Sequence, residues 1–114
     1  MTFRRWEVIS VPYPFVEGPT SKRRPALVVS TDVFHRAHRA CFGAMITTAR
    51  HLRDVRPDDI EIRDLGEAGL ARPCVIRVAR IATFEWSEQI RRVGLLSTGE
   101  RAAVSRLLGL WFGV

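Results

Sequence analysis

The sequence has little of several features that mark particular protein classes. Lys22 is the one lysine among 18 basic residues, and the two cysteines, Cys41 and Cys74, show no Cys-x-x-Cys or metal-ligand spacing. The longest apolar run, residues 107–114, is interrupted by glycine and is far shorter than a membrane span. No apolar stretch follows the first basic residues, unlike in a signal peptide. We therefore expect a cytoplasmic protein with buried thiols, no metal and no cofactor.

The remaining composition is that of a folded protein. The 114 residues are 46% hydrophobic and 26% charged, which is ordinary for a globular chain and unlike a disordered one. This length accommodates one hydrophobic core but not two. We expect a single domain over residues 1–114.

The charge is basic and unevenly placed. The net charge is +6; residues 1–57 hold ten basic and four acidic side chains, whereas residues 58–114 hold eight of each. A basic half indicates a polyanionic partner, and nucleic acid is the commonest. We expect this excess to lie on one face, with Arg36, Arg39, Arg50, Arg53 and Arg56 flanking the site described below.

Hydrophobic patterning predicts an α+β, β-rich fold. A short helix over residues 32–38 and a C-terminal amphipathic helix are expected. The second opens with a Ser97/Glu100 capping box and carries an apolar face at helical spacing, formed by Ala103, Val104, Leu107, Leu108 and Trp111. Several short strands and a turn around residues 66–69 complete the pattern, which indicates a small barrel. The predicted strands are residues 8–13, 26–29, 40–47, 60–62, 74–78 and 92–96.

The densest group of candidate functional residues is a basic loop before the second strand. Ser21, Lys22, Arg23 and Arg24 precede Pro25, which fixes the backbone after Arg24. The planar arginine fork makes paired hydrogen bonds to phosphate. On composition alone, the alternative is a solvated turn.

A second candidate group ends the third strand. Thr47 and Thr48 follow an apolar run, so one hydroxyl can point from the sheet towards a ligand; the alternative is ordinary strand-end chemistry. His35 and His38 share a predicted helix, and a histidine pair can act as general acid and base. With no partner evident across a cleft, we expect these histidines and His51 to be solvated.

Several segments together resemble the MazF/PemK family of toxin endoribonucleases, especially its PemK-like growth inhibitors. The resemblance implies an SH3-like antiparallel barrel, a homodimer and a cognate antitoxin partner. It also implies metal-independent, sequence-selective cleavage of single-stranded RNA. The segments are residues 7–11, 13–15, 22–30, 45–47, 68–78 and 90–96, of which Arg-Pro-Ala-Leu-Val-Val-Ser at 24–30 is the most specific.

The resemblance also assigns residues. The family's catalytic arginine falls on Arg24 and its catalytic threonine or serine on Thr47. Trp6 stands where the family usually has glycine, Cys74 where serine is commoner, and the first-loop glutamate of other branches is absent. The residues expected to bind RNA are Ser21, Lys22, Arg23, Thr48, Arg50 and Arg53.

The chemistry agrees with this assignment. RNA supplies its own nucleophile, the 2′-hydroxyl, so the protein must move protons and stabilise charge on the phosphate. Arg24 suits the second task but not that of a base, because a guanidinium stays protonated in proteins. Two alternatives remain. One is a CcdB-like gyrase poison, which the aromatic-Gly-aliphatic ending at residues 111–114 resembles. The other is an RNA-binding module without catalysis.

Overall fold

The computed structural model describes residues 2–12, 23–49 and 52–114. The predicted Ser21, Lys22, Arg50 and His51, like residues 13–15 of the resemblance, lie outside these ranges. The elements are β1 (Glu7–Pro12), β2 (Arg23–Val28), α1 (Asp32–His38), β3 (Ala40–Thr48), a 3₁₀ turn (Leu52–Asp54), β4 (Ile60–Glu61), α2 (Leu65–Ala68), β5 (Cys74–Glu85), β6 (Arg91–Leu95) and α3 (Thr98–Phe112).

The strands form one antiparallel sheet with the order β4-β5-β3-β2-β1-β6. The register of β3 against β5 shifts between two neighbouring residues of β3: Ala44 lies opposite Ile81, whereas Met45 lies opposite Arg77. The extra residues of β5 form a bulge, and bulges bend the strand that carries them. The described part of the chain is a curled β-rich sheet with helices, which confirms the predicted fold class.

Alternating side chains divide the core between the two faces of the sheet. The first cluster includes Val8, Leu27, Ile46 and Ile76 and is closed by Val104 of α3; the second includes Ile9, Val11, Ala26, Val28 and Phe84. At Gly43 a Cβ would lie 2.8 Å from the Phe84 ring, so the absence of a side chain there lets the ring lie over β3. Cys41 and Cys74 are free and buried, as predicted.

Several predicted elements differ from the structure. The strand expected to end at Val78 continues to Glu85, and the turn at residues 66–69 is the short helix α2. The helix α3 begins as predicted, but Ser97 makes no side-chain cap. Instead, its hydroxyl bonds to one oxygen of Glu100, whose other oxygen accepts the N–H of Arg63 at 2.5 Å. Glu100 thus links α3 to the segment after β4.

The C-terminal end of α3 is more exposed than the amphipathic pattern predicted. Trp111 is 54% exposed, and Leu110, Phe112 and Val114 are exposed as well. Trp111, which belongs to the apolar face of the pattern, therefore stays outside the core, because the helix runs past the sheet. None of the described helices is long and apolar enough to cross a membrane.

Candidate active site

Arg24 and Thr47 come from neighbouring strands. The backbone pairing of β2 with β3 runs from Val28, opposite Gly43, to Ala26, opposite Met45. Continuing this antiparallel register by two residues sets Arg24 opposite Thr47, and directly opposed residues share a face of the sheet. That face carries the second cluster. The two residues that the resemblance names therefore lie together, although 23 positions separate them in the chain.

Pro25 explains why the backbone ladder between β2 and β3 ends before Arg24 and Thr47. In an antiparallel strand, successive residues direct their backbone groups to alternate neighbours. The Val28 carbonyl accepts a hydrogen bond from the segment before β1, and the Val29 N–H donates to β3. By this alternation Pro25 faces Ile46 of β3 and has no N–H to donate. Within the described residues the ladder accordingly ends at Ala26, leaving what we call the β2–β3 gap between Arg24 and Thr47.

The Arg24 side chain is prepared to bind an anion. It is half-buried, and its buried Nε has no hydrogen-bond partner among the described residues. A buried donor without a partner is costly, so a ligand oxygen in the gap would satisfy it. Thr47 is also half-buried, and its hydroxyl lies on the same face. This pair can hold a tetrahedral oxyanion such as a phosphodiester.

The other predicted RNA-binding residues are less closely grouped. Thr48 is exposed and, by strand alternation, belongs to the opposite face from Thr47. Arg23 donates to the Ser10 hydroxyl at 3.1 Å, to the Ser10 carbonyl at 2.9 Å and to the Gln89 carbonyl. Its donors therefore fasten β2 to β1 and to the turn before β6. Arg53 is exposed in the 3₁₀ turn that follows β3.

The basic residues do not all lie on one face. Arg36 lies on α1 and Arg39 at its C-terminal end, and both are exposed. Both come before the first residue of β3. Thr47 is near the other end of that strand, roughly 23 Å away at the usual rise per residue. The prediction that Arg36 and Arg39 flank Thr47 is thus wrong, because a strand separates residues that are close in sequence. Arg53 and Arg56 follow the Thr47 end.

The two histidines that the structure describes, His35 and His38, do not form a site. His35 is buried, which contradicts the expected solvation, and its Nε2 lies 2.7 Å from the Ser30 Oγ, which also accepts the Phe42 N–H. These contacts connect α1 to β2 and β3. Asp32 stands 3.5 Å from His35 Nδ1, but Ser30 is buried and cannot meet a substrate. His38 is exposed and stacks on Phe34.

Neither thiol suits nucleophilic chemistry. Burial raises the pKa of Cys41 to about 12 and raises that of Cys74 above its usual value. Both therefore remain protonated near neutral pH, and the thiolate is the reactive form. Among the described residues no three His, Cys, Asp or Glu side chains are grouped to hold a metal ion.

Arg77 and Asp59 form a buried ion pair that sequence reasoning missed. Nη2 of Arg77 lies 3.0 Å from Oδ2 of Asp59. Burial alone would raise the pKa of Asp59, but hydrogen bonds from the Arg77 side chain and the Arg56 backbone outweigh it and lower that pKa. The signal was an arginine inside an apolar strand, Cys-Val-Ile-Arg-Val, at residues 74–78.

Comparisons with known proteins give consistent results. The family model described as "PemK-like, MazF-like toxin of type II toxin-antitoxin system" matches residues 4–112. No curated protein sequence matches significantly. Among solved structures, MazF of Deinococcus radiodurans aligns with a TM-score of 0.75 at 17% identity, covering 100% of this chain and 99% of that one.

Two mycobacterial structures share the fold. Toxin MazF-mt6 of Mycobacterium tuberculosis aligns with a TM-score of 0.66 at 21% identity, covering 93% of this chain and 96% of the other. An endoribonuclease in complex with its cognate antitoxin, from a mycobacterial species, has a TM-score of 0.73 at 15% identity, with 99% and 97% covered. At these identities the likeness is one of fold.

Proposed function

Because the chain belongs to the PemK-like, MazF-like toxins of type II toxin–antitoxin systems, we propose that it is a sequence-selective endoribonuclease. It cleaves single-stranded mRNA in the cytoplasm without a metal cofactor and so inhibits translation and growth. The observation that carries the proposal is the half-buried Arg24, whose buried Nε has no hydrogen-bond partner among the described residues, on the strand that pairs with that of Thr47.

The proposed reaction needs no nucleophile from the protein. The ribose 2′-oxygen attacks the adjacent phosphorus, the bond from phosphorus to the 5′-oxygen breaks, and the products are a 2′,3′-cyclic phosphate and a free 5′-hydroxyl. Arg24 stabilises the negative charge that grows on the non-bridging oxygens. It also supplies a proton to the leaving 5′-oxygen, while solvent takes up the proton of the 2′-hydroxyl and returns one to Arg24. Thr47 donates a hydrogen bond to the phosphate beside it or holds the guanidinium in place.

RNA binding extends along the Thr47 end of the sheet. Arg53 and Thr48 are exposed there, and Ser21, Lys22 and Arg50 belong to the adjoining segments. These residues contact the RNA backbone, giving a salt-dependent contribution that does not read sequence. Arg23 acts indirectly, since its donors are engaged by Ser10 and Gln89.

We further propose two protein partners. MazE–MazF complexes are among the solved structures that share this fold, which supports a cognate antitoxin that covers the basic end in competition with RNA. The apolar tip of α3 supports a homodimer. A groove beside it is lined by Val29, Phe42, Ile81, Ala82, Thr83, Leu108, Phe112 and Val114, and such exposed apolar surface is typical of an interface.

The decisive experiment compares the intact protein with Arg24→Ala on a mixed single-stranded RNA, with the cut ends mapped. Loss of one charge-stabilising donor should lower the cleavage rate by roughly 10²–10³. Arg72→Ala, at an exposed arginine before β5, removes the same charge as a control and should cleave normally. A folded Arg24→Ala protein with an unchanged rate would refute the proposed role.

The gyrase-poison alternative predicts a different result for the same variants. MazF-like and CcdB-like toxins share a barrel, so fold alone does not separate them, but a poison would require the α3 ending and not Arg24. Growth arrest by the Arg24→Ala protein, without RNA cleavage by the intact protein, would favour the poison. RNA binding with no cut ends would favour the non-catalytic module.

A further inference from the structure

The segment between β3 and β4 carries two exposed arginines close to the proposed RNA path. β3 ends at Thr48 and β4 begins at Ile60; the described residues between them include one 3₁₀ turn, Leu52–Asp54. Arg53 and Arg56 are exposed on this segment. The described residues 53–57 belong to no strand, so side-chain contacts help to fix the position of both arginines.

One guanidinium fastens this segment at two points, Asp54 and Asp59. Arg77 of β5 donates from Nε to Oδ1 of Asp59 at 3.2 Å and from Nη2 to Oδ2 at 3.0 Å. Its Nη2 also donates to the Asp54 carbonyl at 2.8 Å. Asp59 Oδ2 in turn accepts the Arg56 N–H at 2.8 Å. The residues on either side of Arg56 are therefore tied to one side chain.

The fastening is buried and rigid. The Asp59 side chain is 1% exposed and that of Arg77 is 14% exposed. A two-point contact between guanidinium and carboxylate fixes orientation as well as distance. Because the Arg77 charge is matched by Asp59, Arg77 is not itself a free cation for RNA. Its effect on a ligand must pass through the segment that it holds.

Arg77 lies on the same face of the sheet as the candidate active site. Arg77 lies opposite Met45 of β3, and the next pair on the same face is Val75 with Thr47. Diagonal neighbours on one face of an antiparallel pair are about 7–8 Å apart. One side chain therefore sets where Arg53 and Arg56 stand relative to Thr47.

We propose that Arg77 and Asp59 are positioning residues that hold Arg53 and Arg56 where the RNA backbone leaves the β2–β3 gap. This inference rests on the proposed endoribonuclease function. A segment that is ordered before RNA arrives avoids the entropy of ordering it on binding. The pair thus acts on substrate affinity, while Arg24 and Thr47 act on the chemical step.

The test measures KM and kcat on single-stranded RNA over a range of salt concentrations. Arg77→Met should raise KM by about tenfold with little change in kcat, because phosphate contacts are lost without disturbing Arg24. The dependence of log KM on log salt should become less steep by roughly 0.7 for each lost contact. Arg80→Met, at an exposed arginine of the same strand, is the matched control and should change neither.

A double-mutant cycle separates positioning from mere stability. In a protein that already carries Arg53→Ala and Arg56→Ala, adding Arg77→Met should raise KM little further, because the effect of Arg77 passes through those two residues. Additive effects, or an unchanged KM and salt slope in a folded Arg77→Met protein, would overturn the inference. If Arg77→Met does not fold, Asp59→Asn should give the same pattern more weakly. Failure of the intact protein to cleave RNA would instead refute the proposed function.

Discussion

At the scale of single residues, Trp6 adopts an unusual backbone conformation. Its φ is 76°, in the left-handed region that costs a residue with a Cβ roughly 1–2 kcal/mol. The surroundings enforce it, since the Trp6 N–H donates to the Val28 carbonyl and the Trp6 carbonyl accepts the Leu96 N–H, both at 2.8 Å. The Arg5 guanidinium lies 4.3 Å from the ring centre. Glycine, which has no Cβ, would adopt this conformation without that cost.

A pair of substitutions at this position measures the strain. Trp6→Gly and Trp6→Ala both remove the ring, but only alanine keeps the strained Cβ, so the glycine variant should be more stable by about 1 kcal/mol. Urea unfolding compares the two. At Ser105, which is exposed within α3, the alanine variant should instead be more stable than the glycine variant. An alanine variant at position 6 that equals or exceeds the glycine variant would contradict this account.

At the scale of elements, the β2–β3 gap depends on a missing hydrogen-bond donor. Pro25→Val should supply an N–H to the Ile46 carbonyl, extend the ladder and narrow the gap. We expect the rate of RNA cleavage to fall by about tenfold or more, since small displacements at a reacting centre are costly. Hydrogen exchange should show a protected amide at position 25.

The control for this change is Ala71→Val, which places the same side chain at an exposed position outside the sheet. It should leave the cleavage rate unchanged. A Pro25→Val protein with a protected amide and normal cleavage would show that the separation of the strands is not needed.

The predictability of the elements followed the regularity of their patterns. The helix α1 and the strands β1 to β3 were predicted to within a few residues, because apolar alternation marks β1, continuous apolar runs mark β2 and β3, and Ser30 or Thr31 can cap α1. β5 was cut short because its bulge shifts the alternation, so Ile81, Ala82 and Phe84 no longer follow the phase of Ile76 and Val78.

The site was predictable in part for a similar reason. A resemblance in sequence named Arg24 and Thr47, but their juxtaposition is a property of strand register. The ion pair of Arg77 with Asp59 joins residues 18 positions apart across a bend, and no local pattern indicates such a contact. His35 was misjudged because a helix of seven residues is too short to show which face is buried.

At the scale of the whole molecule, the exposed tip of α3 predicts self-association. Phe112→Asp places a charge on this apolar surface and should raise the dimer dissociation constant by tenfold or more, since buried unpaired charge is costly at an interface. Light scattering across a dilution series measures it. Ala102→Asp, at an exposed site earlier in α3, is the control. A Phe112→Asp protein that dimerises as tightly as the parent would place the interface elsewhere.

The strand order has a consequence for how the protein is made. β1, β2 and β3 are consecutive in the chain and adjacent in the sheet, whereas β5 and β6 flank them on either side. On the ribosome the three central strands can pair by short-range contacts before the rest is synthesised. Both sides of that nascent sheet then stay open until residues 74–95 emerge, and open strand edges invite aggregation. Arg24 and Thr47 would thus be brought together early, on a half-built sheet that the later strands complete.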